Sequence, residues 1–162
     1  MPIDPGRFKE SLSSWPSGVT IVTSAWEGRV HGMTVSAFSS VSLDPPLVLV
    51  CAAKDSNTHS LIRESGVYSV SVLSEGQEPL SNRFASKAEE HRRFEGLDCP
   101  RGATGCPHIP GAVSALDCRV IESIDAGDHV IYVGRVEAVS TTSGAPLVYH
   151  QGAYRRLAAT RA

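Results

Sequence analysis

Residues 112–140 read AVSALDCRVIESIDAGDHVIYVGRVEAVS. Two long runs, Ala112 to Ile124 and His129 to Ser140, are rich in valine, isoleucine and other strand-favouring residues. Between them lies Asp125-Ala126-Gly127-Asp128, four residues of turn chemistry. Extended runs joined by so short a glycine-bearing turn predict an antiparallel hairpin. Upstream, the same grammar repeats. Gly18 to Trp26 and Arg29 to Val35 are strand-like and flank the turn Glu27-Gly28. Leu47 to Ala53 is a continuous apolar strand, expected to be buried on both faces. Val67 to Leu73 alternates as a half-buried strand does. Downstream, Ser143-Gly144 turns the chain toward two short edge strands, Leu147 to His150 and Ala153 to Leu157.

Helices interrupt this pattern at few places. Asp4 precedes Pro5 as an N-cap precedes a first helical proline. Phe8, Leu12 and Trp15 then form one apolar stripe, ended by Pro16 and Gly18. Ser56 to Glu64 reads as a helix with Leu61 and Ile62 facing inward. Pro79 to Ala85 and Ala88 to Phe94 read as short helices, the charge run Lys87 to Arg93 being a solvated face. Asp98 to Pro110 is loop. Roughly seven or eight strands in tight-turn succession predict a mainly β chain: an antiparallel barrel with peripheral helices. No linker or repeat divides the sequence, so 1–162 is expected to be a single domain.

The 162 residues suffice for a real core, since a chain of this size buries roughly 70% of its unfolded surface. The formal charge is −2. No basic excess exists to neutralise a phosphate backbone, which argues against nucleic acid as a partner. The longest near-apolar run, Pro45 to Ala53, is far short of the ~20 residues a membrane helix needs, so no membrane partner is expected. Met1 to Glu10 carries no apolar leader, and the expectation is a cytoplasmic protein.

The four cysteines, Cys51, Cys99, Cys106 and Cys118, form no CxxC pair. Cys99, Cys106 and His108 are near neighbours but match no zinc-site spacing and lack a fourth ligand, so no metal is expected. Reduced, mostly buried thiols are the better reading. Neither GxGxxG nor GxxxxGK[ST] occurs, and neither GxSxG nor HExxH.

Four local segments carry the reading further. They are Trp15-Pro16-Ser17-Gly18-Val19-Thr20-Ile21-Val22-Thr23; the stretch from His31 to Leu47, HGMTVSAFSSVSLDPPL; Leu80-Ser81-Asn82-Arg83-Phe84-Ala85; and Gly127-Asp128-His129 with Gly134-Arg135-Val136 and the ending from Tyr149 to Tyr154. In order and spacing, from about Phe8 to Leu157, the chain resembles the short-chain flavin reductase family. Members are NAD(P)H:flavin oxidoreductases that feed reduced flavin to two-component monooxygenases. The resemblance implies a Greek-key split barrel, a homodimer with the flavin near the subunit interface, and transfer of reduced flavin to a separate monooxygenase. FAD and FMN both remain open. NADH is preferred over NADPH, because no arginine pair suited to a 2′-phosphate stands out.

Hydride transfer between two cofactors asks the protein for position and electrostatics rather than for a triad. On the resemblance, Thr34, Val35 and Ser36 contact the pyrimidine side of the flavin ring; read alone, they are a strand whose hydroxyls bond nearby backbone. Ser39, Ser40 and Ser42 offer donors for ribityl or phosphate oxygens. Lys54, Ser56, Asn57 and Thr58 stand where a helix begins, which suits an anion as well as an ordinary cap. Arg83 is a second phosphate candidate, trusted above Asn82 for its bidentate geometry. Phe84 lines the flavin pocket or packs the core. Tyr154 covers the dinucleotide or packs across the dimer. His129, after Gly127-Asp128, is the candidate catalytic residue, contacting nicotinamide or stabilising reduced flavin. A non-catalytic flavin- or haem-binding module on the same fold is the alternative; Gly127-Asp128-His129 speaks against it. A flavin-retaining oxidase would need a basic cluster for a substrate phosphate, which Lys54 and Arg83 alone do not make.

Overall fold

The computed structural model describes residues 2–158. Its spine is the hairpin of β7, Ser114–Ala126, and β8, His129–Thr141, closed where Ala126 faces His129. The other long strands are β2 (Thr20–Trp26), β3 (Arg29–Val35), β4 (Phe38–Ser42), β5 (Leu47–Ala53) and β6 (Val67–Val72). Together they make one seven-stranded antiparallel sheet in the order β3-β2-β6-β7-β8-β5-β4. β6 pairs with Ser114 to Arg119, at the open end of the hairpin. β5 pairs with His129 to Arg135, at its closed end. Register shifts interrupt the hairpin at Asp117/Cys118, inside the segment paired with β6, and at Val120/Glu122, opposite β8 residues paired with β5. Bulges of this kind bend and twist a strand, so the two halves of the sheet curl apart as a split barrel. The short strands β1 (Ser17–Gly18), β9 (Val148–His150) and β10 (Ala153–Arg155) form a side sheet.

The main core lies inside the curl, where Val22, Val50, Ile62, Tyr68, Val70 and Cys118 are all fully buried. Each large aliphatic side chain there contributes about 1.5–3 kcal/mol by leaving water. Helix α2, Asn57–Ser65, closes one side with Leu61 and Ile62. Gly134 lies where any Cβ would collide with the Tyr68 hydroxyl, so a glycine lets β8 pass over that ring. A second cluster of Val19, Ile21, Leu73, Phe84, Ile109 and Leu147 sits beneath helix α3, Glu78–Ala85.

Several sequence expectations need correction. Phe38–Ser42, not among the strands the sequence pattern predicts, forms the edge strand β4, its backbone paired with β5. β5 is not buried on both faces: Val48, Val50 and Ala52 are inside, whereas Leu47, Leu49, Cys51 and Ala53 are only half covered. The last strand stops at Arg155. Only Glu90–Arg92 of the second short helix forms, as one 3-10 turn. Within the charge run, Arg93 is buried at 6% exposure because it donates to the carbonyls of Gly32 and Ser86. The first helix, α1 (Pro5–Ser13), starts as read, with Asp4 accepting from the Arg7 amide. Its stripe does not pack on this chain: Phe8, Leu12 and Trp15 are 53%, 57% and 78% exposed.

The loop before β7 is pinned by a buried carboxylate. Asp117 accepts from the Ala103 amide, the Thr104 hydroxyl and His108 Nε2. A Cβ on Gly102 would collide with both Asp117 and His108, so the loop can approach that closely only through glycine. His108 is thereby engaged away from Cys99 and Cys106, and all four cysteines are free. Burial pushes the Cys118 thiol up to about 12 and raises the Cys106 thiol, so neither offers a thiolate near neutral pH. Among the described residues no helix is long and apolar enough to cross a membrane.

Candidate active site

β3 is an edge strand, and its outer backbone groups have no ladder partner. Arg93 takes the outward carbonyl of Gly32. By the two-residue alternation of a strand, the N–H and C=O of Thr34 lie on the same open edge. The Thr34 hydroxyl donates to the Ser81 carbonyl at 2.6 Å and ties α3 to this edge. Tyr154, on β10, reaches over from the side sheet. Its hydroxyl bonds Asn82 Oδ1 at 2.7 Å and Ser81 Oγ at 2.9 Å. Tyr149 stands edge-on to Tyr154, with ring centroids 5.3 Å apart.

These contacts frame a cleft of about 290 Å³ lined by Thr34, Ser36, Ser81, Asn82, Tyr149 and Tyr154. Ser36 is exposed at its floor and also borders two neighbouring grooves lined by Trp15, Phe38 and Tyr149. The cleft offers main-chain donors and acceptors, small side chains, and two aromatic walls. That set suits the polar edge and flat faces of an isoalloxazine, so the residues fit a flavin.

A second group gathers where β5 ends. Lys54 forms an ion pair with Asp125, and its amide donates to the Asp128 carbonyl. Ser56 caps α2, accepting from the His59 amide and donating to the Ala53 carbonyl. Asn57 donates to Glu90. His129 lies opposite Ala53, its Nδ1 2.7 Å from Asp128 Oδ1. That hydrogen bond, with the charge of the ring, holds the Asp128 carboxyl below the ordinary range. His129 Nε2 has no hydrogen-bond partner among the described residues, and the side chain is 44% exposed.

The two groups are joined along α3 and the segment that follows. Ala85 lines the cleft, Lys87 pairs with Asp55, and Glu90 accepts from Asn57. One face of the molecule thus carries the cleft, the α2 cap and His129.

Not every predicted residue reaches this face. Val35 is buried, so only its backbone is near the edge. Ser39, Ser40 and Ser42 continue along β4 and line no cleft with Thr34 and Ser36. Thr58 is fully buried, its Oγ1 without a partner, because it faces inward from the first turn of α2. Phe84 is fully buried too. It packs edge-on against Phe94 and beneath Gly32, which makes it a floor of the core rather than a pocket wall. Arg83 donates to the Glu95 carbonyl and lies off the cleft, while Asn82 is in it. Helical geometry explains the exchange. Ser81, Asn82 and Ala85 fall within an arc of roughly 100° on α3, and residue 83 is turned roughly 160° from both Ser81 and Ala85. The i, i+3 relation of Asn82 to Ala85 was the available signal for Asn82.

Comparisons with known proteins agree with this geometry. The flavin reductase like domain model matches residues 12–158. An NADH-dependent flavin reductase from Rhodococcus sp is 44% identical over 96% of this chain and 88% of its own length. The reductase subunit HsaB of a flavin-dependent monooxygenase, from Rhodococcus jostii (strain RHA1), is 36% identical over 94% of this chain and 77% of its own. The solved NADH:FAD oxidoreductase SgcE6 of Streptomyces globisporus C-1027, in complex with NAD and FAD fragments, superposes with a TM-score of 0.89. It shares 34% identity and covers 98% of this chain and 97% of that one.

Proposed function

Because this chain belongs to the flavin reductase-like family, we propose that it is an NADH-dependent flavin reductase whose reduced flavin leaves for a separate monooxygenase. The single observation that carries the reading is the cleft of Thr34, Ser36, Asn82 and Tyr154 opening on the free edge of β3. When both are bound, nicotinamide C4 gives a hydride to flavin N5.

The protein's share is placement. The backbone of Thr34 and the exposed Ser36 hydroxyl meet the polar edge of the ring. Tyr154, fixed by Asn82 and Ser81, and Tyr149 beside it exclude water from one side. Ser56 and Lys54 take the flavin phosphate at the start of α2, where helix dipole and ammonium add. Among the described residues the Lys54 ammonium is held by a single exposed ion pair, to Asp125. Such a pair is worth about 1 kcal/mol or less, so a phosphate displaces it at small cost. His129 stands over the same end of the face, oriented by Asp128, with Nε2 directed to the nicotinamide carboxamide.

The exposed stripe of Phe8, Leu12 and Trp15 meets the grooves beside Ser36 through Leu12 and Trp15. We read it as the contact of a homodimer that completes the cleft. The whole chain acts as one domain, and its free cysteines suit the reducing cytoplasm.

Following absorbance at 340 nm tests the central claim. NADH is expected to be oxidised steadily only after FMN or FAD is added. Flavin bound without any NADH turnover would sink the reductase reading and favour the binding module. A residue test follows from the geometry. Lys54→Ala is expected to weaken FMN binding by about tenfold or more, as loss of a charged hydrogen bond does. Arg83→Ala, off the cleft, is expected to cost less than about threefold on the same fluorescence titration.

A further inference from the structure

On the other side of Lys54 lies a cavity of about 490 Å³ between α2 and the β7–β8 hairpin. It is separate from the cleft and shares Lys54 and Asp125 with the group around His129. Its polar lining is Lys54, His59, Arg63, Ser123, Asp125 and Tyr132.

His59 is 92% buried, being 8% exposed, yet its ring lines the cavity. The Tyr132 hydroxyl lies 2.9 Å from its Nδ1. Nε2 has no hydrogen-bond partner among the described residues. Burial first, then the charges of Arg63 and Lys54, lowers the affinity of this imidazole for a second proton. A neutral imidazole that accepts at Nδ1 from Tyr132 must carry its proton on Nε2. In that tautomer the Nε2–H faces the cavity with no partner among the described residues.

Arg63 stands on the same helix face, four residues after His59, and makes no salt bridge or hydrogen bond among the described residues. Lys54 is the second cation, and Asp125 the single carboxylate, already spent on Lys54 in an exposed pair. The lining thus has a net positive charge, a planar guanidinium fork, an aimed N–H and the Ser123 hydroxyl. Those groups match a phosphoryl group. The volume is that of an ordinary small-ligand site.

We propose that this cavity is a second phosphate seat, which holds the adenylate-side phosphate of a dinucleotide whose first phosphate lies at Lys54 and Ser56. The inference rests on the reductase reading and adds a discriminating residue to it: Arg63 separates FAD, which has that second phosphate, from FMN, which lacks it. NADH carries the same chemistry and is the other source of such a group.

The test is Arg63→Gln, an exposed substitution that leaves the core untouched, with Tyr132→Phe as a second variant that frees His59 from its orienting bond. FAD and FMN affinities are read by fluorescence quenching, and the KM for NADH is read with FMN as acceptor. Arg63→Gln is expected to weaken FAD binding by about tenfold while FMN stays within about twofold of wild type. Tyr132→Phe should move FAD in the same direction by less. A rise of about tenfold in the KM for NADH, with both flavin affinities unchanged, would also support the seat and assign it to the nicotinamide dinucleotide. If neither the FAD-to-FMN affinity ratio nor the KM for NADH changes in Arg63→Gln, the seat is overturned. The reductase reading stands or falls separately, on whether the wild-type protein oxidises NADH with FMN, for which Arg63 is not required.

Discussion

Replacing His129 with alanine is expected to lower kcat/KM for NADH by about 10- to 100-fold, the cost of one hydrogen bond to a polar or charged partner. Flavin binding should persist, because the residues proposed to hold the ring lie elsewhere: Thr34 and Ser36 on the β3 edge, Asn82 and Tyr154 above it. The hairpin itself should survive. His129 is partly exposed, and its strand pairing to Ala53 and Ala126 is made by backbone. Steady-state kinetics with varied NADH at saturating flavin, paired with flavin titration by fluorescence, separate the two effects. An unchanged kcat/KM would reduce His129 to a residue that ends a hairpin. Asp128 bears on the same result. By accepting from Nδ1 at 2.7 Å it fixes which imidazole nitrogen is left for a ligand.

The largest stability effect is expected at Asp117. Its carboxylate is 2% exposed and accepts three hydrogen bonds, from Ala103, Thr104 and His108. Asp117→Ala leaves all three donors, in a part-buried loop, without their acceptor. Each unsatisfied group costs about 1–3 kcal/mol, so a total loss of about 3–5 kcal/mol is expected. Urea denaturation of the variant beside wild type measures it directly. The loop from Asp98 to Pro110 should then loosen while the sheet stays formed, because β7 keeps its ladder to β6 and β8. A loss below about 1 kcal/mol would show that the loop is held by its other contacts, chiefly Thr23 to the Pro107 carbonyl.

How much of this was legible beforehand differs from element to element. The Gly127 turn between two β-branched runs specified the central hairpin, because turn chemistry and strand propensity are local. Ser56 as the α2 cap was readable for the same reason. Arg93 was not. Amid Lys87 to Arg93 it looks like one more solvated charge, and only the fold brings the Gly32 carbonyl on the β3 edge within its reach. Phe8, Leu12 and Trp15 show the opposite case. Their spacing is that of a buried stripe, but burial needs a partner surface, and this chain supplies none for it.

The candidate site divides along the same line. The residue types were present in the sequence: small hydroxylated residues after β3, a lysine and a capping serine after β5, a histidine after Gly-Asp. By itself the sequence determined the strand order along the chain, the turns and the caps, all of which depend on residues a few positions apart. Only the tertiary structure decided that Asn82 and not Arg83 lines the cleft, and that Thr58 and Phe84 are turned into the core. It alone set His59, Arg63 and Tyr132 around one cavity, although His59 and its hydrogen-bonded tyrosine are 73 positions apart in the chain. Which face of a helix meets a cleft, and which polar atoms are left facing it, depends on how distant elements pack, and packing is a property of the whole chain.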